Sequence, residues 1–240
     1  MIRTNMVRKI PREKRGYRSE MRQAAAAETR RAILDAARKL VVEQGYAAMR
    51  MERIARTAGV ALDTVYAAVG SKPTLIRLLV ETAISGGDAA IPAEERDYVK
   101  QIRAASSAKT KLGLYAEALR SIHLRLAPLV RVLRDAAGEH PDLAALWRKI
   151  SERRHRNMRL FADELLATGE LREDLARDDL SDTIWTMGSP ELFLLVTEER
   201  GWSGERFSTW LATSWCRLFL REPHHASREE CEQRSLKTER

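Results

Sequence analysis

A chain of 240 residues is long enough to bury one large or two modest cores, and its 44% hydrophobic content excludes a disordered polypeptide. The apolar runs, such as Leu192 to Val196, fall far short of the ~20 residues that span a bilayer. The net charge of +8 is uneven: residues 1–82 hold 17 Lys/Arg against 8 Asp/Glu, while the remainder is close to neutral. That asymmetry is the electrostatic footprint of a nucleic-acid-binding segment joined to a neutral body, although a soluble protein with a charged tail would share it.

Residues 1–24 are polar and basic, with Pro11 and Gly16, and read as a flexible arm. They contain no apolar core of a secretory signal. From Glu28 to Gln44 the positions Ile33, Ala37, Leu40 and Val41 recur at helical spacing, and Gly45 closes the segment. A short helix follows over Met51 to Ala58, Gly59 breaks it, and a second runs from Leu62 to Val69. Gly70-Ser71-Lys72-Pro73 restarts the chain, Pro73 suiting a first helical turn, and the fourth helix continues to Gly86-Gly87. Further on, Pro92, Pro128, Pro141, Pro190 and Pro223 punctuate helical stretches at 107–126, 142–167, 178–200 and 203–221, with Pro190 expected to kink or interrupt the third. No segment offers period-two alternation between hairpin turns. The fold class is all-α: an arm at 1–24, a helix-turn-helix domain at 25–86, a larger helical domain at 87–221 and a polar tail at 222–240.

The segment Met51–Lys72 is the most specific. Two short helices crossing steeply need a small residue at the crossing, a tight turn and apolar anchors from both sides. Ala55, Gly59, and Ile54, Val60 and Val65 supply these in turn. A helix-turn-helix places the N-terminal residues of its second helix in the major groove. Through Gly45-Tyr46, Ile54-Ala55, Ala58-Gly59-Val60, Thr64-Val65-Tyr66, Ser71-Lys72 and Leu75, the chain resembles the TetR family of transcriptional repressors over Glu28 to Leu79. The resemblance implies a homodimer on a palindromic double-stranded operator, with an unidentified small-molecule effector held in the C-terminal domain and releasing the DNA. It also implies that Tyr66 and Lys72 meet backbone phosphates, that Thr64 faces the groove and that Arg30 approaches the backbone.

Departures accompany the match. Arg50 stands where the family carries a capping threonine, and a hydroxyl cap is worth ~1 kcal/mol. Ala61-Leu62-Asp63 replaces the usual entry to the recognition helix; Asp63 suits a structural role better than a base contact, because phosphates repel a carboxylate. Val69 stands where an aromatic usually follows. The DNA-contacting set is therefore Arg30, Arg50, Ala61, Leu62, Asp63, Thr64, Tyr66 and Lys72.

In the C-terminal part, His123 shares a stripe with Leu112, Leu119 and Leu126, and Arg154 one with Trp147, Ile150, Met158, Phe161 and Leu165. A polar group on an apolar stripe is paired or reaches a cavity. His123, Trp147, Arg154, Met158, Phe161, Trp185 and Met187 are thus candidates for an effector site, Arg154 toward an anion, with satisfied core packing as the competing reading. Leu192, Leu195, Phe207, Trp210, Leu211, Trp215 and Leu218 are candidates for a subunit interface, since the helix around Leu192–Val196 is apolar all round. Burial within one chain would explain them equally. No phosphate loop, nucleophile elbow or paired metal-binding histidines appear, so neither catalysis nor a cofactor is expected. Cys216 and Cys231 lack metal or disulfide spacing, which suits a reducing cytoplasm. A helical interaction or RNA-binding protein is the alternative.

Overall fold

The computed structural model describes residues 12–87 and 89–221, with side chains from residue 20 onward. Ten α-helices occupy these residues, and the described residues contain no strand beyond one isolated antiparallel bridge, Leu171 to Leu220. Helix α1 spans Arg12–Ala48, so residues 12–24, expected to be a flexible arm, are helical. The Ala24–Ala27 run explains the extension, alanine having the highest helix propensity. Residues 20–28 are exposed throughout and the buried face begins at Ile33. The first 11 residues and the tail from 222, with His224, His225 and Cys231, lie outside the described residues.

Gly45 has φ 80° and ψ 176°, a region essentially confined to glycine, and bends the end of α1 so that Tyr46 and Met49 turn into the core. A Cβ at Gly45 would meet no atom within 4 Å, so any cost of substitution is backbone strain alone. Gly45→Ala is expected to lower unfolding free energy by about 1–3 kcal/mol, read as a shifted urea midpoint at unchanged slope. A loss below about 0.5 kcal/mol would show that the bend relaxes freely.

Helices α2 (Met51–Ala58), α3 (Leu62–Val69) and α4 (Lys72–Ser85) have the limits that their spacing predicts, with Pro73 in the first turn of α4. After α5 (Asp97–Ala104), helix α6 (Ala108–Ala137) runs without a break through Pro128, where punctuation was expected. Burial of Leu126, Ala127, Leu129, Val130 and Leu133 around it offsets the lost hydrogen bond. Helix α7 spans Pro141–Leu166 and α8 Arg177–Met187. The interruption expected at Pro190 falls at Gly188-Ser189. Ser189 Oγ then accepts from the Leu192 amide at 3.1 Å, and Pro190 opens α9 (Pro190–Leu194), which passes into a π-helical turn over Leu195–Glu199. Helix α10 is Gly204–Phe219.

The helices form two compact units. One contains α1–α4 together with residues 124–149, and its core includes Ile33, Ala37, Leu40, Val41, Ile54, Val65, Leu75 and Leu79. The other contains residues 92–123 and 150–221, around Leu112, Leu165, Leu180, Ile184, Phe207, Leu211, Trp215 and Phe219. Helix α6 thus contributes its first half to the second unit and its last half to the first.

Candidate functional site

The turn between α2 and α3 is built by Gly59, with φ 69° and ψ 31°. Its amide donates to the Arg56 carbonyl at 3.4 Å and the Val60 amide donates to that of Ala55 at 3.0 Å, the pair of bonds that makes a Schellman ending. Ala55 and Ile54 are buried at the crossing, as are Val65 and Val69 on the inner face of α3. The opposite face of α3 is left to solvent: Asp63, Thr64, Tyr66 and Ala67 are exposed, Leu62 is half-buried, and Ala61 is exposed ahead of the helix. Tyr66 retains 48% of its surface, a large outlay of ring area to leave wet without a partner.

The edges of this face carry fixed positive charge. Arg50 is the exposed N-cap residue of α2 and makes no side-chain cap, as expected from the missing hydroxyl. The α4 N-terminus is capped instead by Ser71, whose Oγ accepts from the Thr74 amide at 3.4 Å. Beside it the Lys72 ammonium sits 3.7 Å from the centroid of the Tyr46 ring. Burial, with the neighbouring Arg50 charge second, pushes the Lys72 ammonium below the usual lysine range. Two cations near two helix N-termini raise one another's energy unless an anion joins them, which is the logic of a phosphate site. Asp63 does not cap α3, whose N-cap is Ala61; it lies in the first turn, where a carboxylate complements the helix dipole. Arg30 is only half-exposed and donates to the Ala68 carbonyl at 2.8 Å, so it clamps the end of the recognition helix. The platform role of Tyr46 was not legible in the sequence. Its proximity to Lys72 depends on the Gly45 bend.

In the second unit His123 is 2% exposed and its Nε2 lies 3.0 Å from the Gly188 carbonyl oxygen. A carbonyl only accepts, so Nε2 carries the proton. Burial above all, and the Arg154 charge, push the ring to a pKa of about 3 despite the Gly188 bond. The neutral ring leaves Nδ1 as a bare acceptor, buried and without a hydrogen-bond partner. Arg154 stacks on Trp185, guanidinium to centroid 4.8 Å, and donates to the Trp185 backbone carbonyl. Met158 and Phe161 are buried beside Tyr115, whose hydroxyl donates to the Met158 sulfur at 3.2 Å and whose ring lies 4.9 Å from Phe161. Met187 is half-buried. Trp147, expected with this group, belongs to the first unit, where Arg134 lies 6.0 Å over its ring. Tyr115 joins the group unforeseen, its hydroxyl giving no polar signal in an apolar stripe.

The seven interface candidates divide by burial. Phe207, Leu211 and Trp215 are wholly buried in the chain's own core. Leu195 and Leu218 are exposed, while Leu192 and Trp210 are half-buried, Trp210 against Trp202 with centroids 5.6 Å apart.

Residues 33–79 match the family described as "Bacterial regulatory proteins, tetR family". A comparison with curated proteins returned no match. Among solved structures, the SmeT–triclosan complex is 17% identical, with a TM-score of 0.63 and coverage of 81% of this chain and 92% of that one. The transcriptional regulator FadR from Bacillus subtilis, in complex with stearoyl-CoA, is 21% identical, with a TM-score of 0.62 and coverage of 77% and 96%. NalD, the secondary repressor of the MexAB-OprM multidrug efflux pump in Pseudomonas aeruginosa, is 20% identical, with a TM-score of 0.55 and coverage of 81% and 98%. At these identities the structures speak for the fold alone. Residues 33–79, with α2 and α3 as a helix-turn-helix, are thus similar to the tetR family of bacterial regulatory proteins.

Proposed function

We propose that this protein is a homodimeric repressor, acting in the cytoplasm, that binds a palindromic operator and leaves it when a small molecule enters the second unit. The observation that carries this reading is the outward face of α3, with Thr64 and Tyr66 exposed and Arg50 and Lys72 at its edges. DNA binding is assigned to residues 25–86, and dimerisation with effector binding to 87–221. Leu192, Leu195, Trp210 and Leu218 supply the apolar surface available to a second subunit. The fold neighbours bound to triclosan and stearoyl-CoA support an effector of low molecular weight. The reading is of a binding protein rather than an enzyme.

Selection from random duplexes, followed by salt titration of the winning site, tests the DNA half. A dimer meeting ~6–10 phosphates loses ~10³–10⁵ in affinity between 50 and 200 mM salt. Selection of no duplex, or tighter binding of single-stranded RNA than of the winning duplex, would overturn the assignment.

Helix α6 offers the coupling element. His123 lies in its effector-side half; two residues on, Arg125 Nε donates to the Ala83 carbonyl at 2.9 Å, in the last turn of α4. A cation at a helix C-terminus is held by the dipole as well as by the bond. Arg125→Ala should leave effector affinity in the DNA-free protein unchanged while weakening effector-driven DNA release by about 5-fold or more. Unaltered release, in a variant that still binds both partners, would remove Arg125 from the relay.

A further inference from the structure

Among the buried side-chain polar atoms of the second unit that lack a hydrogen-bond partner, three sit on aromatic rings: His123 Nδ1, Trp185 Nε1 and Trp215 Nε1. They belong to one connected group. Gly188 accepts from His123, and a Cβ built on Gly188 would lie 3.6 Å from Trp215 Cζ2, an atom on the same side of the indole as its Nε1. Tyr115 stacks on Trp215 with centroids 5.9 Å apart, and Arg154 bears on Tyr115, His123 and Trp185. Phe193 and Phe207 close on the imidazole at 5.4 and 6.2 Å. Native proteins leave few such atoms unmet, and an ordered water or a bound molecule is a common partner for those that remain.

The inventory of unmet atoms is specific. Both indole nitrogens are obligate donors, and His123 Nδ1 is an obligate acceptor because Nε2 holds the proton for Gly188. A complementary molecule must therefore both accept and donate, and its body must suit aromatic walls. A carboxylate accepts only, so it cannot serve Nδ1, and its charge would face a lone pair. Arg154 does not reverse this preference, since it already donates to the Trp185 carbonyl and lies in the field of Glu191.

The geometry points to an uncharged, flat aromatic compound bearing a hydroxyl as the effector, its hydroxyl donating to His123 Nδ1 and accepting from an indole N–H. The inference rests on the proposed effector site and departs from the sequence-based expectation of an anion at Arg154.

Three probes of one size test it: 2-naphthol, naphthalene and 2-naphthoate, titrated into the full chain with quenching of tryptophan fluorescence as the readout. Naphthol should bind at least about 10-fold more tightly than either of the others, because a site built to pair a hydroxyl rejects analogues lacking it. In His123→Phe that advantage should shrink to within about 2-fold while naphthalene binding persists. Equal binding of naphthol and naphthalene would mean that water meets the polar atoms. Tighter binding of naphthoate would restore the anion; either result, or binding of no probe, overturns the assignment. The three-probe ranking needs only the wild-type chain, so it stands even where the variant fails to fold. A parallel titration against the selected duplex separates the two readings. Naphthol that binds without releasing DNA keeps the site and sinks the switch, whereas naphthoate that releases DNA keeps the switch and sinks the ligand class.

Discussion

Lys72→Ala combined with Tyr66→Phe is expected to weaken binding to the selected duplex by about 10²–10⁴-fold and to flatten its salt dependence. The estimate takes one charge-assisted bond per Lys72 at ~1.5–3 kcal/mol, doubled by the proposed dimer, with the neutral Tyr66 bond adding less. Removing one phosphate-neutralising cation per subunit should also reduce the slope of log affinity against log salt by about 2. The fold should hardly register either change. Tyr66 is exposed, and Lys72 loses only a cation–π contact with Tyr46, worth about 0.5–1 kcal/mol. Lys100→Ala supplies the control: it removes one charge from an exposed pair with Asp97 on α5, in the other unit, and should leave the slope unchanged. A double variant that binds with wild-type affinity would place DNA on another surface.

The helix-turn-helix was legible because its signals are local. Turn glycine, apolar anchors and helix lengths all lie within Met51–Val69, so the limits of α2 and α3 follow from short-range chemistry. The C-terminal groups depend on contacts between distant segments. A helical wheel places His123 on the apolar stripe, but that its Nε2 meets the Gly188 carbonyl, 65 residues on, depends on how α6 packs. The same limit separates Trp147 from Arg154: one stripe on one helix, divided between two compact units. It also governs the interface candidates. Hydrophobicity marks Trp210 and Trp215 alike, and only packing reveals that Trp215 is wholly buried while Trp210 keeps a wet edge. At the N-terminus the error was of another kind, because charge suggested disorder where the alanine run extends a helix.

Acidification should destabilise this protein through His123 before most carboxylates titrate. Burial holds the ring at a pKa of about 3, against an ordinary 6.5, so between those values the unfolded chain binds one more proton than the folded one. Stability is then fully present above pH 6.5 and falls as pH drops, by up to 1.36 kcal/mol per unit and about 2.7 kcal/mol by pH 4.5. Everything facing the ring opposes protonation except one bond. Phe193 on α9 and Phe207 on α10 offer no charge, and Arg154 on α7 repels the imidazolium; the Gly188 carbonyl favours it, but already accepts from the neutral ring. Asp163 and Asp174, whose carboxyls Arg177 and Arg172 hold below the usual range, destabilise in the same direction only at lower pH. Glu117, which Arg120 likewise holds below the usual range, joins only near the foot of the window from pH 6.5 to 4.5, so the fall just below pH 6.5 reports His123. His123→Gln keeps an amide donor for Gly188 and cannot titrate, so it should be less stable than wild type at neutral pH yet lose less on acidification. Urea unfolding across that window reads the difference directly, and parallel slopes for the two proteins would show that the imidazole finds a way to water before the fold opens.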